Sequence, residues 1–190
     1  MQDPLSIEEQ QILLRLAREA MEFAVRGQAL LPLELQTLPP RVRADGASFV
    51  TLTIDRELRG CIGTLESYQP LAEDVREHAV AAAMKDPRFP RVGENELSSI
   101  KLEISALTVP HPLEYSSSEE LLMKLHPYVD GVILKDEFRR ATFLPQVWEK
   151  IPDPAQFLGH LCQKMGARAG LWREGKLQVL VYQVEEFCEI

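Results

Sequence analysis

Leu58-Arg59-Gly60-Cys61-Ile62-Gly63-Thr64 is the stretch that decides how the chain folds. Before it, Phe49-Val50-Thr51-Leu52-Thr53-Ile54 is a run of strong β formers, and the short polar Asp55-Arg56-Glu57 separates the two as a hairpin turn does. The heptapeptide is therefore the returning arm of a β-hairpin. Glycine weakens a strand and has nothing to pack, so two of them here mark a bulge, a sharp bend, or a close approach by a ligand or another backbone. Residues two apart share a strand face, which groups Arg59, Cys61 and Gly63 on one side. A guanidinium beside a thiol favours the thiolate, the nucleophilic and metal-binding form. The competing reading is a small apolar cysteine filling a tight strand.

Upstream, Ser6-Ile7-Glu8-Glu9 spells a capping box, and Ile12, Leu13, Leu16, Ala20, Phe23 and Ala24 recur at helical spacing. These predict a helix from about residue 6 to Gly27, where glycine supplies the stop. Residues 29–43 are rich in Leu and Pro, and Pro39-Pro40 predicts an irregular surface strap. Downstream, Gln69-Pro70 opens a helix whose stripe of Leu71, Val75, Ala79, Ala82 and Ala83 is narrow enough to lie close against a sheet. That helix must end at Asp86-Pro87-Arg88-Phe89-Pro90, because a residue before proline is pushed out of the α region. A stiff loop holding Asp86, Arg88 and Phe89 suits presentation of groups to a ligand, and equally an Asp–Arg staple at a helix end.

Further on, Ile100 to Val109 alternates as a strand with one covered face, and Pro110-His111-Pro112 breaks it. A short helix follows Ser116-Ser117-Ser118 and stops near His126-Pro127. Asp130 to Lys135 and Arg139 to Leu144 form a second hairpin around Asp136-Glu137. A helix spans about Pro154 to Met165, with His160 and Lys164 four apart on its polar side, and Lys176 to Val184 is the last strand. Hairpins dominate the strand links, so the class is α+β, one unit over residues 1–190 with a minor lobe near residues 110–130.

Composition narrows the function. A formal charge of −8 opposes general attraction to nucleic-acid phosphates, and no apolar run is long enough to cross a bilayer. Met1-Gln2-Asp3-Pro4 lacks the basic-then-apolar layout of a secretion signal. The three cysteines, Cys61, Cys162 and Cys188, are too widely spaced for a disulfide framework or a structural zinc site, so the expected compartment is the reducing cytoplasm. None of His78, His111, His126 and His160 stands at metal-site spacing, and no metal site is expected.

The landmarks together resemble one family. Leu58 to Thr64, then Pro70-Leu71-Ala72-Glu73-Asp74-Val75, then Asp86-Pro87-Arg88-Phe89, then Arg140-Ala141-Thr142-Phe143-Leu144-Pro145-Gln146-Val147-Trp148 look like the AMMECR domain family, in that family's order. Phe157-Leu158-Gly159-His160-Leu161-Cys162-Gln163-Lys164-Met165-Gly166 looks like the family's closing helix. The resemblance implies a two-lobed α+β fold with a mixed or antiparallel sheet, flanking helices and a cleft, with Leu58 to Gly63 as the hallmark. Bacterial and archaeal members are called AmmeMemoRadiSam system protein A, which implies company with Memo-type and radical SAM proteins. It implies no particular reaction and no cofactor.

Two functions follow. In the first, a thiol-dependent enzyme or group carrier, Cys61 is the nucleophile and Arg59 activates it or holds an anionic substrate. Arg88 gives a second two-pronged contact, and His160 or Glu103 is the general base. Gly60, Gly63, Asp86 and Phe89 complete the candidate substrate site. In the second, a non-catalytic binding or scaffold component of a modification system, the glycine-bearing strand docks a partner by strand addition.

Overall fold

A computed structural model describes residues 4–189; Met1-Gln2-Asp3, part of the segment read for a secretion signal, lies outside the described residues. In chain order the elements are α1 (Ile7–Val25), α2 (Pro40–Arg43), β1 (Asp45–Ile54), β2 (Glu57–Gly63), β3 (Gln69–Pro70) and α3 (Leu71–Met84). Next come β4 (Lys101–Leu107), β5 (His111–Pro112), α4 (Ser118–Lys124), β6 (Gly131–Lys135) and β7 (Arg140–Phe143). The chain closes with α5 (Pro154–Lys164), β8 (Gln178–Tyr182) and β9 (Val184–Cys188). It divides into two compact units, Met1–Thr108 with Glu185–Ile190, and Val109–Val184. The second is far larger than the 110–130 segment expected as a minor lobe. The architecture is α+β.

In the first unit the strands run β2-β1-β4-β9, with β3 also pairing β1. The β1 pairings with β2, β3 and β4 are all antiparallel. Ile54 pairs with Glu57, so the hairpin turns on Asp55-Arg56, and both adopt positive φ. That is the turn whose twist matches a two-residue hairpin. Val50, Leu52, Leu102, Ile104 and Ala106 face one way and bury against Leu13, Leu16, Ala17 and Met21 of α1 and Val75, Ala79, Ala82 and Ala83 of α3. The capping box at Ser6 and Glu9 starts α1 as its sequence requires. Arg18 of α1 is salt-bridged to Glu189 and donates to the carbonyls of Leu97 and Ile100, tying the end of the chain back to the first unit.

Three local expectations are corrected. Pro40 begins a helical turn instead of forbidding one, because proline is well placed where a helix needs no N–H. His111-Pro112 pairs with β8 at the sheet edge, the position a proline tolerates. The chain after Tyr182 does not simply end a strand but continues as β9 in the first sheet.

In the second unit the order is β5-β8-β6-β7, and all three pairings are antiparallel. Its core is built on rings: Trp148 stacks on Phe157 with centroids 3.6 Å apart, and Phe143 meets Phe157 edge-on at 5.2 Å. The Trp148 indole N–H donates to the Asp130 carbonyl, so its polar end is satisfied inside the core.

Candidate functional site

Between Leu52 and Thr53 the β1–β2 register shifts: Leu52 pairs with Gly60 and Thr53 with Leu58, leaving Arg59 as an extra residue. A bulge of this kind redirects a side chain. Arg59 accordingly leaves the thiol and reaches the turn before β4. Its Nε and Nη2 grip the two oxygens of Glu96 at 2.7 and 3.1 Å, and it donates to the carbonyls of Pro90 and Arg91. Arg59 is thus the brace of the 90–96 segment, not the guanidinium beside the thiol as strand alternation predicts. In turn Arg59, more than any other partner, lowers the pKa of Glu96.

The two glycines answer to the protein's own backbone. A Cβ on Gly60 would stand 2.3 Å from the Ala82 carbonyl oxygen of α3. On Gly63 it would stand 2.4 Å from the Ser48 carbonyl oxygen and from the Phe49 ring. Among the alternatives the sequence left open, two hold: the bulge lies next to Gly60, and another backbone approaches closely, since the alanine stripe lets α3 lie directly on β2.

Cys61 is half-buried and is clasped by the loop after α3. Its N–H donates to Asp86 Oδ2 at 2.9 Å, and its carbonyl accepts from Arg88 Nη2 at 3.0 Å. Asp86 is buried and also takes the Arg88 backbone N–H, Nε and Nη2. The Arg88 guanidinium, followed by the two backbone N–H groups, holds the Asp86 carboxyl well below the usual carboxylate range despite its burial. Asp86 in turn raises the Arg88 pKa, and the Cys61 thiol adds to this. The cation at the sulfur is therefore Arg88, which is half-exposed, lies 5.5 Å above the Phe89 ring and has no hydrogen bond at Nη1 to the described residues. Thr51 completes the surroundings, its hydroxyl donating to Sγ at 3.3 Å.

Thr51 pairs with Cys61 on one side and with Glu103 on the other, so the three share one row across the sheet face opposite the helices. Strands lie about 4.8 Å apart, which sets Cys61 and Glu103 about 10 Å apart at the backbone, with Thr51 between them. Loss of hydration, and then the charge of Glu186, push the Glu103 carboxyl upward. His160 belongs to the second unit, on α5, and is not part of this row.

One buried polar chain has no counterpart in the sequence reading. Ser48 Oγ donates to Asp74 Oδ2 at 2.6 Å, and His78 Nδ1 lies 3.1 Å from the same oxygen. The signal available was the four-residue spacing of Asp74 and His78, which places both on one helix face. The serine faces the carboxylate and not the imidazole, so this is not a relay that activates a hydroxyl. Among the described residues, no three His, Cys, Asp or Glu side chains gather as a metal ion requires. No described helix is long and apolar enough to cross a membrane.

The AMMECR1 family model matches residues 14–187, and the chain belongs to that family. A protein of Thermofilum pendens is 40% identical, the match covering 97% of this chain and 92% of that one. One of Methanothermobacter thermautotrophicus is 37% identical over 98% and 97%. The fold is similar to the crystal structure of Uncharacterized Protein PH0010 from Pyrococcus horikoshii, with TM-score 0.78 and 32% identity over 97% of this chain and 93% of that one.

Proposed function

We propose that the protein is a cytoplasmic thiol-dependent enzyme or group carrier acting on an anionic substrate, with Cys61 as nucleophile. Arg88 holds the anionic group through its free edge and Phe89 lines the approach. Glu103 handles the proton. The thiolate electron pair forms a bond to an electrophilic carbon of the substrate, the bond to the leaving group breaks, and the leaving group takes a proton from Glu103, whose carboxyl loss of hydration and the charge of Glu186 push upward. The thioester or thioether formed then passes its group to an acceptor, in company with the Memo-type and radical SAM partners that the family resemblance implies.

The observation that carries this reading is a thiol that takes the Thr51 hydroxyl at Sγ, on a backbone clamped by Asp86 at its N–H and by the Arg88 guanidinium at its carbonyl. The same clamp weighs against docking by strand addition. β2 is an edge strand, and at Cys61 the groups an added strand would need are already taken by Asp86 and Arg88.

The test is charge selection by the thiol. With iodoacetate and iodoacetamide as competing reagents, Cys61 is expected to favour the anionic reagent several-fold more than exposed Cys188 does. Arg88→Gln should erase the preference. Cys162, buried and with its thiol pushed up by desolvation, should stay unmodified in the folded protein. A Cys61 that resists both reagents while Cys188 reacts, or that shows no preference for the anion, overturns the proposal.

A further inference from the structure

We propose a second ligand site, on the polar face of α5, that binds the phosphate group of a small phosphomonoester. A hollow of about 290 Å³ opens there, near the lower end of the range for ligand sites. Four polar side chains line it: Gln156, His160 and Gln163, spaced four and three residues apart on one helix face, and Arg173 from the turn after the helix. No carboxylate lines it, although the chain as a whole carries a net charge of −8. The nearest acid in sequence to Arg173, Glu174, is already engaged by Arg168 and Lys176.

The donors are free and one is held in place. Among the described residues, none of the four side chains makes a hydrogen bond or ion pair with the protein. The Arg173 guanidinium is seated 4.2 Å above the Trp172 ring, and Trp172 is buried, so the cation is positioned before any ligand arrives. A planar fork plus two amides and an imidazole, approaching from a helix and from a separate turn, suits a group with three acceptor oxygens better than the two of a carboxylate.

Gly159 is the independent sign. Glycine inside a helix weakens it relative to alanine, and such a position ordinarily has a packing or functional reason. Packing does not supply one: a Cβ there would sit 3.6 Å from the Ala169 carbonyl oxygen and 3.8 Å from its Cβ, ordinary contact distances. Both residues line the hollow, so the glycine keeps its floor open.

The experiment is a titration of the full-length, isotope-labelled protein with inorganic phosphate, reading the His160 ring resonances by NMR. A saturable shift is expected, weakened at least tenfold in Arg173→Gln and several-fold in Gly159→Ala, whose Tm should not fall. Cys61→Ser should leave the titration unchanged, which separates this site from the Cys61 reading. The proposal is overturned by the absence of a saturable shift at about 10 mM phosphate, tenfold above a 1 mM Kd. Unchanged affinity in either α5-site variant overturns it too, as does acetate binding as tightly as phosphate.

Discussion

The two units solve the same packing problem with opposite materials. In the first, helices meet the sheet through alanine and aliphatic side chains, and among the described residues Phe187 is its one buried Phe, Tyr or Trp. In the second, Trp148, Phe157, Trp172 and Tyr182 are sealed inside. Glycine serves the two differently. Gly60 lets the backbone of α3 reach β2, whereas Gly131 in β6 makes room for the Tyr182 ring, which a Cβ would meet at 2.3 Å. Small side chains bring main chain against main chain, and that closeness is what holds the Cys61 strand. Large rings fill volume and leave the backbone at arm's length.

The sharpest contrast is expected from truncating the cores. Trp148→Ala should destabilise by about 4 kcal/mol, since it removes the stacked ring and strands the Asp130 carbonyl. Phe187→Leu in the first unit should cost only about 1 kcal/mol, as its site is 9% exposed and the volume change is modest. Urea melts of both variants measure the difference. Equal losses would mean that the two cores do not differ in the way their composition indicates.

The glycines come next. Gly60→Ala should cost about 3 kcal/mol, and no side-chain truncation should relieve it, because the obstacle is a main-chain carbonyl. Gly131→Ala should cost a similar amount but couple to Tyr182→Leu by more than about 1 kcal/mol in a double-mutant cycle, because there the obstacle is a ring. Absence of coupling at Gly131 would break the distinction.

The clasp at Cys61 belongs to the first unit alone and carries a pH signature. A carboxyl held below its unfolded value contributes stability above that value, near 3.9, and loses it as the pH falls through it toward the folded value. Asp86→Asn should therefore cost about 1–3 kcal/mol at pH 7 and much less at pH 3, with half-exposed Arg88 keeping the figure toward the low end. The smallest effect has the reverse sign. Partial loss of hydration and Glu186 raise the Glu103 pKa, so its charged form opposes folding above about pH 4. Glu103→Gln should add a few tenths of a kcal/mol at pH 7 and nothing at pH 3.

Local chemistry explains why so much of the fold was legible in the chain. The capping box at Ser6, the hairpin through Asp55-Arg56, the alanine stripe and the stop at Asp86-Pro87 each depend on neighbours a few residues away. The site was half legible. Cys61 as its centre, and the stiff loop carrying Asp86 and Arg88, could be named from the sequence, because proline and glycine restrict backbone wherever they stand. Which arginine serves the sulfur could not.

That choice rests on the bulge at Arg59, which breaks the two-residue alternation, and on Glu96, thirty-seven residues away, which draws Arg59 off. The Ser48–Asp74 contact spans twenty-six residues and joins a strand to a helix, beyond any spacing rule. His160 and Glu103, equal candidates by side-chain chemistry, fall in different units. Sequence alone determined the longer helices and hairpins and their order, because hydrogen bonds between near neighbours and hydrophobic periodicity act within a few residues. Only the tertiary structure decided which charges meet, because the energy of an ion pair depends on a distance in space that separation along the chain does not set.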